Sequence, residues 1–147
     1  MDDLPVYYTS QRNFWMTSSV FKTWFHTQFV PSVKASLSAM GQPEKALLLL
    51  DNCSAHPEEA ELMTEDGAIR AIFLPPNVTA LIQPMDQGVI ELCKRRYRAK
   101  LCEALLLADD SGINVIDFLK SIDMAFVVEN VATAWTGIQA ETIKRAW

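Results

Sequence analysis

The chain has 147 residues, half of them hydrophobic, and a formal net charge of −5. That suits one compact domain with a sizeable core and argues against a generally basic nucleic-acid binder, although a local basic patch on an acidic background remains open. Three cysteines, Cys53, Cys93 and Cys102, form no CxxC pair and favour free thiols in a reducing compartment over a disulfide framework; the start lacks a signal peptide's basic and apolar regions, and no apolar run approaches bilayer-spanning length, so a soluble protein without a membrane partner is expected.

Residues 4–10 begin like a strand, but Pro5 and the polar residues behind it point to an edge or an extended arm. Residues 11–16 mix Arg12 with Phe14 and Trp15. Such a mixture can serve a nucleic acid, but anchoring a loop onto the core is the expectation here. Thr17-Ser18-Ser19 offers N-cap oxygens, and Val20, Phe21, Trp24, Phe25 and Phe29 follow at helical spacing. Pro31 interrupts, Val33, Leu37 and Met40 continue, and Gly41 can end the pattern. One broken helix covering a sheet is predicted, with His26 at the surface or boundary.

Ala46–Leu50 is short, apolar and bounded by polar residues. It suits a strand covered on both faces, though a buried helix segment would look similar. As a strand it delivers Asp51 at its carboxyl end, where ligand chemistry gathers in open α/β sheets. Asp51-Asn52 also reads as a simple strand-ending turn, because both side chains bond local backbone. His56 can orient that turn or stand behind a metal ligand. Pro57 suits a first helical position, and Glu58, Glu59 and Glu61 suit the first turn of a short helix.

Asp66-Gly67 makes a turn, and residues 69–74 read as a second strand stopped by Pro75-Pro76. Strand, crossover helix and strand give a right-handed parallel βαβ unit. The following loop is apolar, with polar side chains only at Asn77, Thr79 and Gln83, and is expected to pack down and fix Asp86 relative to Asp51. Asp86 opens the longest helical pattern, running to about residue 107, so its carboxylate is expected in the first turn, where the helix dipole favours an anion. Residues 52–85 separate the two aspartates. Brought together, their carboxylates repel unless a cation stands between them, and all-oxygen sites suit Mg²⁺ or Mn²⁺.

Val89, Ile90, Cys93, Tyr97, Leu101 and Leu105 form one apolar stripe of that helix. Off the stripe lie Lys94, Arg95, Arg96, Arg98 and Lys100, five of thirteen basic residues within seven positions. A solvated helix face explains them; so does contact with phosphates, which holds a nucleic-acid backbone without reading sequence. Residues 109–112 read as a loop, residues 114–135 as one or two helices, and residues 140–147 as a last short helix.

Three segments carry a resemblance: Asp51-Asn52-Cys53-Ser54-Ala55-His56-Pro57, Leu74-Pro75-Pro76-Asn77 and Gln83-Pro84-Met85-Asp86-Gln87-Gly88. With the tail residues Glu141, Thr142, Ile143 and Trp147, they resemble the DDE transposase domain of the pogo/Tigger/jerky group of the mariner superfamily. The resemblance runs from about residue 4 to 147. It implies a ribonuclease-H-like fold in which three acids hold two divalent metals for DNA strand cleavage and joining. The second and third acids carry over onto Asp51 and Asp86, implied as catalytic residues and ligands for Mg²⁺ or Mn²⁺. Asn52, His56 and Gln83 are expected beside them. The first acid does not carry over, since in the family it lies upstream of the Pro-Val-Tyr-Tyr-Thr-Ser segment, and Asp2 and Asp3 follow no apolar strand.

Residues 1–147 are thus expected to be the carboxyl-terminal portion of a DDE catalytic domain. The fold class is α/β: a partial ribonuclease-H-like fold with two parallel strands, a crossover helix and a helical tail. Metal binding is expected to be weak or absent, catalysis incomplete, DNA binding non-specific through residues 94–100, and location nuclear. The missing neighbour of the strand ending at Asp51 would leave an edge open to self-association or a protein partner. The alternative is an interaction module, or a domesticated remnant, without DNA affinity.

Overall fold

The computed structural model describes residues 5–12, 15–77 and 82–147. They fall into two compact units, one of Thr9–Thr79 and one of Ala80–Trp147 with Met1–Tyr8, each described here by itself. The architecture is mixed, with two parallel strands and several helices. Residues 5–10 form no strand, so the edge-strand expectation does not hold there.

In the first unit the Thr17 hydroxyl accepts from the Val20 N–H and caps α1, Ser18–Trp24. A π-helical turn, Phe25–Phe29, follows, and then α2, Val30–Ala39. The expected break at Pro31 is instead a widening just before it. The Val30 N–H reaches back to the Phe25 carbonyl, a five-residue step that makes room in the ladder where proline removes a donor and its ring crowds the preceding turn. Gly41, at φ 64°, follows the end of α2.

Strands β1, Ala46–Leu50, and β2, Ile69–Phe73, pair in parallel, with Ala46 opposite Ile69 and Leu50 opposite Phe73. The strand assignment of both segments holds, although the second ends one residue sooner than expected. Phe21, Phe25 and Val30 from the helices meet Leu50, Leu62, Ile69 and Ala71, and Trp24, Phe29, Val33, Ala46, Leu48 and Phe73 close around them. The helix does cover the sheet. Trp15, in contrast, is 80% exposed, so it is no anchor onto the core; Phe14 lies outside the described residues.

The crossover contains no α-helix. Its only helical turn is the 3₁₀ turn Glu59–Glu61. Immediately afterwards Leu62 is fully buried, its carbonyl accepts from the Ala71 N–H at 2.8 Å, and Met63 bridges antiparallel to Arg70. The chain therefore doubles back along β2 through Asp66 and Gly67, and this return uses the residues that a full helix would need. The turn is closed by the Thr64 hydroxyl on Asp66 Oδ1 at 2.6 Å and by Gly67 at φ 67°.

In the second unit α3, Val89–Asp110, is the longest element. Asp109 and Asp110 belong to its last turn, so the expected loop begins at Ser111, with Gly112 at φ 80°. The region after it forms two helices. Asn114 accepts from the Ile116 and Asp117 N–H groups at the start of α4, Val115–Ser121. Asp123 accepts from the Phe126 N–H at the start of α5, Met124–Thr136. These are the side chains that favour N-caps, and they separate the two helices cleanly. A short α6, Ala140–Lys144, closes the chain. α3 packs chiefly against α5, with Val89, Phe118 and Ala134 buried.

Candidate functional site

Asp51 directly follows β1, with its side chain about one-third exposed. Two hydrogen-bond donors hold it. The Cys53 N–H reaches Oδ1 at 3.4 Å, and His56 Nδ1 lies 2.9 Å from the Asp51 carbonyl oxygen and 3.3 Å from Oδ1. Both of those oxygens are acceptors, which assigns the His56 proton to Nδ1. The imidazole is mostly covered, with its ring 4.7 Å from Phe21 and 6.1 Å from Phe73. His56 therefore orients the turn through the Asp51 carbonyl and stands beside the carboxylate. Asn52 Nδ2 donates to the Leu74 carbonyl at 2.7 Å, tying the loop after β1 to the end of β2. The turn chemistry expected at Asp51-Asn52 is present, and it leaves part of the carboxylate open to solvent.

Asp86 is placed differently. It ends a 3₁₀ turn, Pro84–Asp86, and Gln87 and Gly88 stand between it and α3. It is not in the first turn of the long helix. The cause is local: Gly88 adopts φ 92°, a conformation an L-residue rarely takes, so the chain turns before the helix starts. Pro84 is buried beneath the turn, while Asp86 is exposed. Gln83 is the residue before the turn, and its carbonyl accepts from the Asp86 N–H at 3.0 Å. The loop expected to fix Asp86 relative to Asp51 includes residues 78–81, which lie outside the described residues. Among the described residues no three His, Cys, Asp or Glu side chains cluster as a metal site.

The five basic residues of α3 are all exposed, and they surround the helix instead of lining one face. Lys94 and Arg98 border one groove between α3 and α5, with Ile90, Cys93, Tyr97, Val131 and Trp135. Arg96 and Lys100 border another, with Thr133, Thr136 and Gly137. Arg96 lies so close over Gly137 that a methyl group there would collide with its guanidinium. Lys100 pairs with Glu103 at 3.1 Å and Arg98 with Glu91 at 3.9 Å. Such exposed pairs hold weakly. Lys94, Arg95 and Arg96 have no carboxylate partner among the described residues. The expected apolar stripe is real: Val89 is buried, and Ile90, Cys93, Tyr97, Leu101 and Leu105 are partly covered.

The sequence profile of the DDE superfamily endonuclease family matches residues 1–147. The chain belongs to this family. It is 39% identical over 155 residues to human Tigger transposable element-derived protein 7, covering 98% of this chain and 28% of that protein. It is 37% identical over 146 residues to mouse Jerky protein, and 38% identical to its human homolog, covering 98% of this chain and 24% of each relative. The chain thus spans about a quarter of the length of these curated relatives. No solved structure matches. The pogo/Tigger/jerky resemblance carried by the Asp51 and Asp86 motifs is therefore correct.

Sequence reasoning missed one feature of this chain. Trp135 and Tyr97 line the same groove, yet the sequence reading placed Tyr97 only on the apolar stripe of its helix and gave Trp135 no role beyond ending a helical range. A usable signal was present: Val131 and Trp135 are four residues apart, as are Cys93 and Tyr97, with Lys94 and Arg98 one position further along.

Proposed function

We propose that this is a nucleic-acid-binding DDE endonuclease domain of transposon origin, with ribonuclease-H-like ancestry, that holds DNA without sequence preference and does not cut it unaided. The observation that carries this is the ring of exposed cations on α3, three of them without a carboxylate partner among the described residues. On a chain of net charge −5, so concentrated a basic segment suits phosphates.

The carboxylates of Asp51 and of Asp86 each offer the oxygen donors that a hard divalent ion, Mg²⁺ or Mn²⁺, takes; Asn52 and His56 belong to the loop that carries Asp51, and Gln83 precedes the turn that carries Asp86. Such an ion would stabilise charge on phosphoryl oxygens. His56 and the Cys53 N–H would keep the Asp51 carboxylate aimed. Two carboxylates are too few to fix two ions, so on this reading the third acid comes from outside these 147 residues and the chain alone is inactive. A nuclear location follows from a DNA substrate.

Binding is tested by fluorescence anisotropy on a labelled duplex over a range of salt. Changing Arg95, Arg96 and Arg98 to Gln should weaken binding and make the slope of log K against log salt shallower by about 2.7, at roughly 0.9 per phosphate contact. An unchanged slope overturns the proposal. Catalysis is tested by Mn²⁺-dependent plasmid nicking. Nicking that both Asp51→Ala and Asp86→Ala abolish would overturn the inactive reading.

A second reading rests on β1. Among the described residues it pairs only with β2, and Leu47 on it is 56% exposed. An unpaired edge of this kind can accept a strand from a protein partner or another copy. A light-scattering mass above that of the monomer, without any DNA affinity, favours that reading.

A further inference from the structure

We propose that the groove between α3 and α5 takes up an unpaired base of single-stranded nucleic acid, with Trp135 and Tyr97 as its stacking surfaces and Lys94 and Arg98 on the flanking phosphates. This rests on the reading that the chain binds nucleic acid, and names the part of the ligand this groove receives. The groove measures about 380 Å³ and is lined by Ile90, Cys93, Tyr97 and the stems of Lys94 and Arg98 from one helix, and by Val131 and Trp135 from the other. Its walls are almost wholly apolar, while both cations stand at its border.

Trp135 is 44% exposed and Val131 42%. Neither Trp135 nor Tyr97 stacks on another aromatic ring among the described residues, and both line the open groove. This contrasts with Trp24, whose ring makes tilted contacts with Phe21 at 5.2 Å and Phe29 at 5.4 Å. Lys94 and Arg98 are one helical turn apart, about 6 Å along the axis, a separation comparable with that of neighbouring phosphates on an extended strand.

Charge complementarity decides for a polyanion. Aromatic rings beside cations form the combination that holds single strands, since every base has a π-face and stacking tolerates any sequence. A paired base in a duplex keeps its faces inside the stack and cannot enter. The groove therefore favours single strands, whereas Arg95 and the cations bordering Gly137 are equally accessible to a duplex.

The whole chain is titrated with a labelled oligo(dT) and with a duplex of equal length. Trp135→Leu keeps an apolar side chain but removes the ring, and Trp135→Phe retains a stacking face. The expected result is at least a roughly tenfold loss of oligo(dT) affinity in Trp135→Leu, near-complete retention in Trp135→Phe, and duplex affinity unchanged in both. Lys94→Gln with Arg98→Gln should make the oligo(dT) salt slope shallower by about 1.4. Circular-dichroism melting checks that each variant is folded.

Equal oligo(dT) affinity in Trp135→Leu and the parent chain overturns the proposal while leaving the duplex-binding reading intact. Failure of the parent chain to bind either oligonucleotide overturns both. Uptake of an acidic amphipathic peptide that Trp135→Leu abolishes, with oligo(dT) binding intact, would assign the groove to a protein partner and overturn the base-binding proposal.

Discussion

The two units differ in how they use their apolar residues. In the Thr9–Thr79 unit, one connected core runs from Phe21, Phe25 and Val30 to Leu50, Leu62, Ile69 and Ala71. In the helical unit, buried positions are few, and Leu106, Leu107, Ile113, Val115, Ile116, Leu119 and Met124 are all exposed. The aspartates of the two sequence motifs, Asp51 and Asp86, follow the same division. Asp51 sits at the end of a strand in the well-packed unit, held by a backbone N–H and an imidazole. Asp86 sits on an exposed turn in the other unit. Packing density and the fixing of a side chain go together, because a carboxylate can be aimed only by groups that are themselves held in place.

The largest effect should come from the core of the sheet unit. Phe25 is fully buried and stacked on Phe29 at 5.5 Å, so Phe25→Ala should cost roughly 3–5 kcal/mol in a urea melt. Leu107→Ala, at a residue 68% exposed, should change stability by less than about 0.5 kcal/mol. Equal losses at the two positions would erase the contrast between the units.

Smaller losses should follow from the polar ties. Asn52→Ala removes the donor to the part-buried Leu74 carbonyl and should cost about 1–2 kcal/mol in the same melt. Asp123→Ala removes the cap of α5 and should cost about 1 kcal/mol, with helical circular dichroism reduced.

The smallest effect concerns pH. The Lys22 ammonium donates to Glu61 at 2.7 Å, and that hydrogen bond and charge hold the Glu61 carboxyl below its ordinary value. A lowered folded-state value means that the contribution is present above the ordinary glutamate range and lost as pH falls through the folded value. The pair is exposed, so the loss should be slight and weaker still in high salt. Glu61→Gln should flatten this part of a stability-versus-pH curve, and an unchanged curve would show that the pair contributes nothing.

Much of this was legible in the sequence because the controlling physics is local. Ala46–Leu50 read as a strand from its shortness and its polar borders, although a buried helix segment shares that pattern, and its pairing with Ile69–Phe73 decides for the strand. Thr17 caps its helix as its hydroxyl requires, and Gly41 follows the helix it was expected to end. The crossover was not legible, because the return of residues 62–63 along β2 depends on burying Leu62, a tertiary event that no local pattern records. The offset of Asp86 from α3 turned on a single positive φ at Gly88. The motif around Asp51 was readable as a turn and as a family signature, but the covering of His56 by Phe21 and Phe73 appears only in three dimensions.

Gly88 has one more consequence. Because it stands between the turn that carries Asp86 and the helix that carries the cations, acid and base are genetically separable here. A side chain at Gly88 would meet no atom within 4 Å, so its only penalty is the backbone angle. Gly88→Ala would thus shift the seat of the Asp86 carboxylate while leaving the exposed cations from Lys94 to Lys100 on their own helix unchanged.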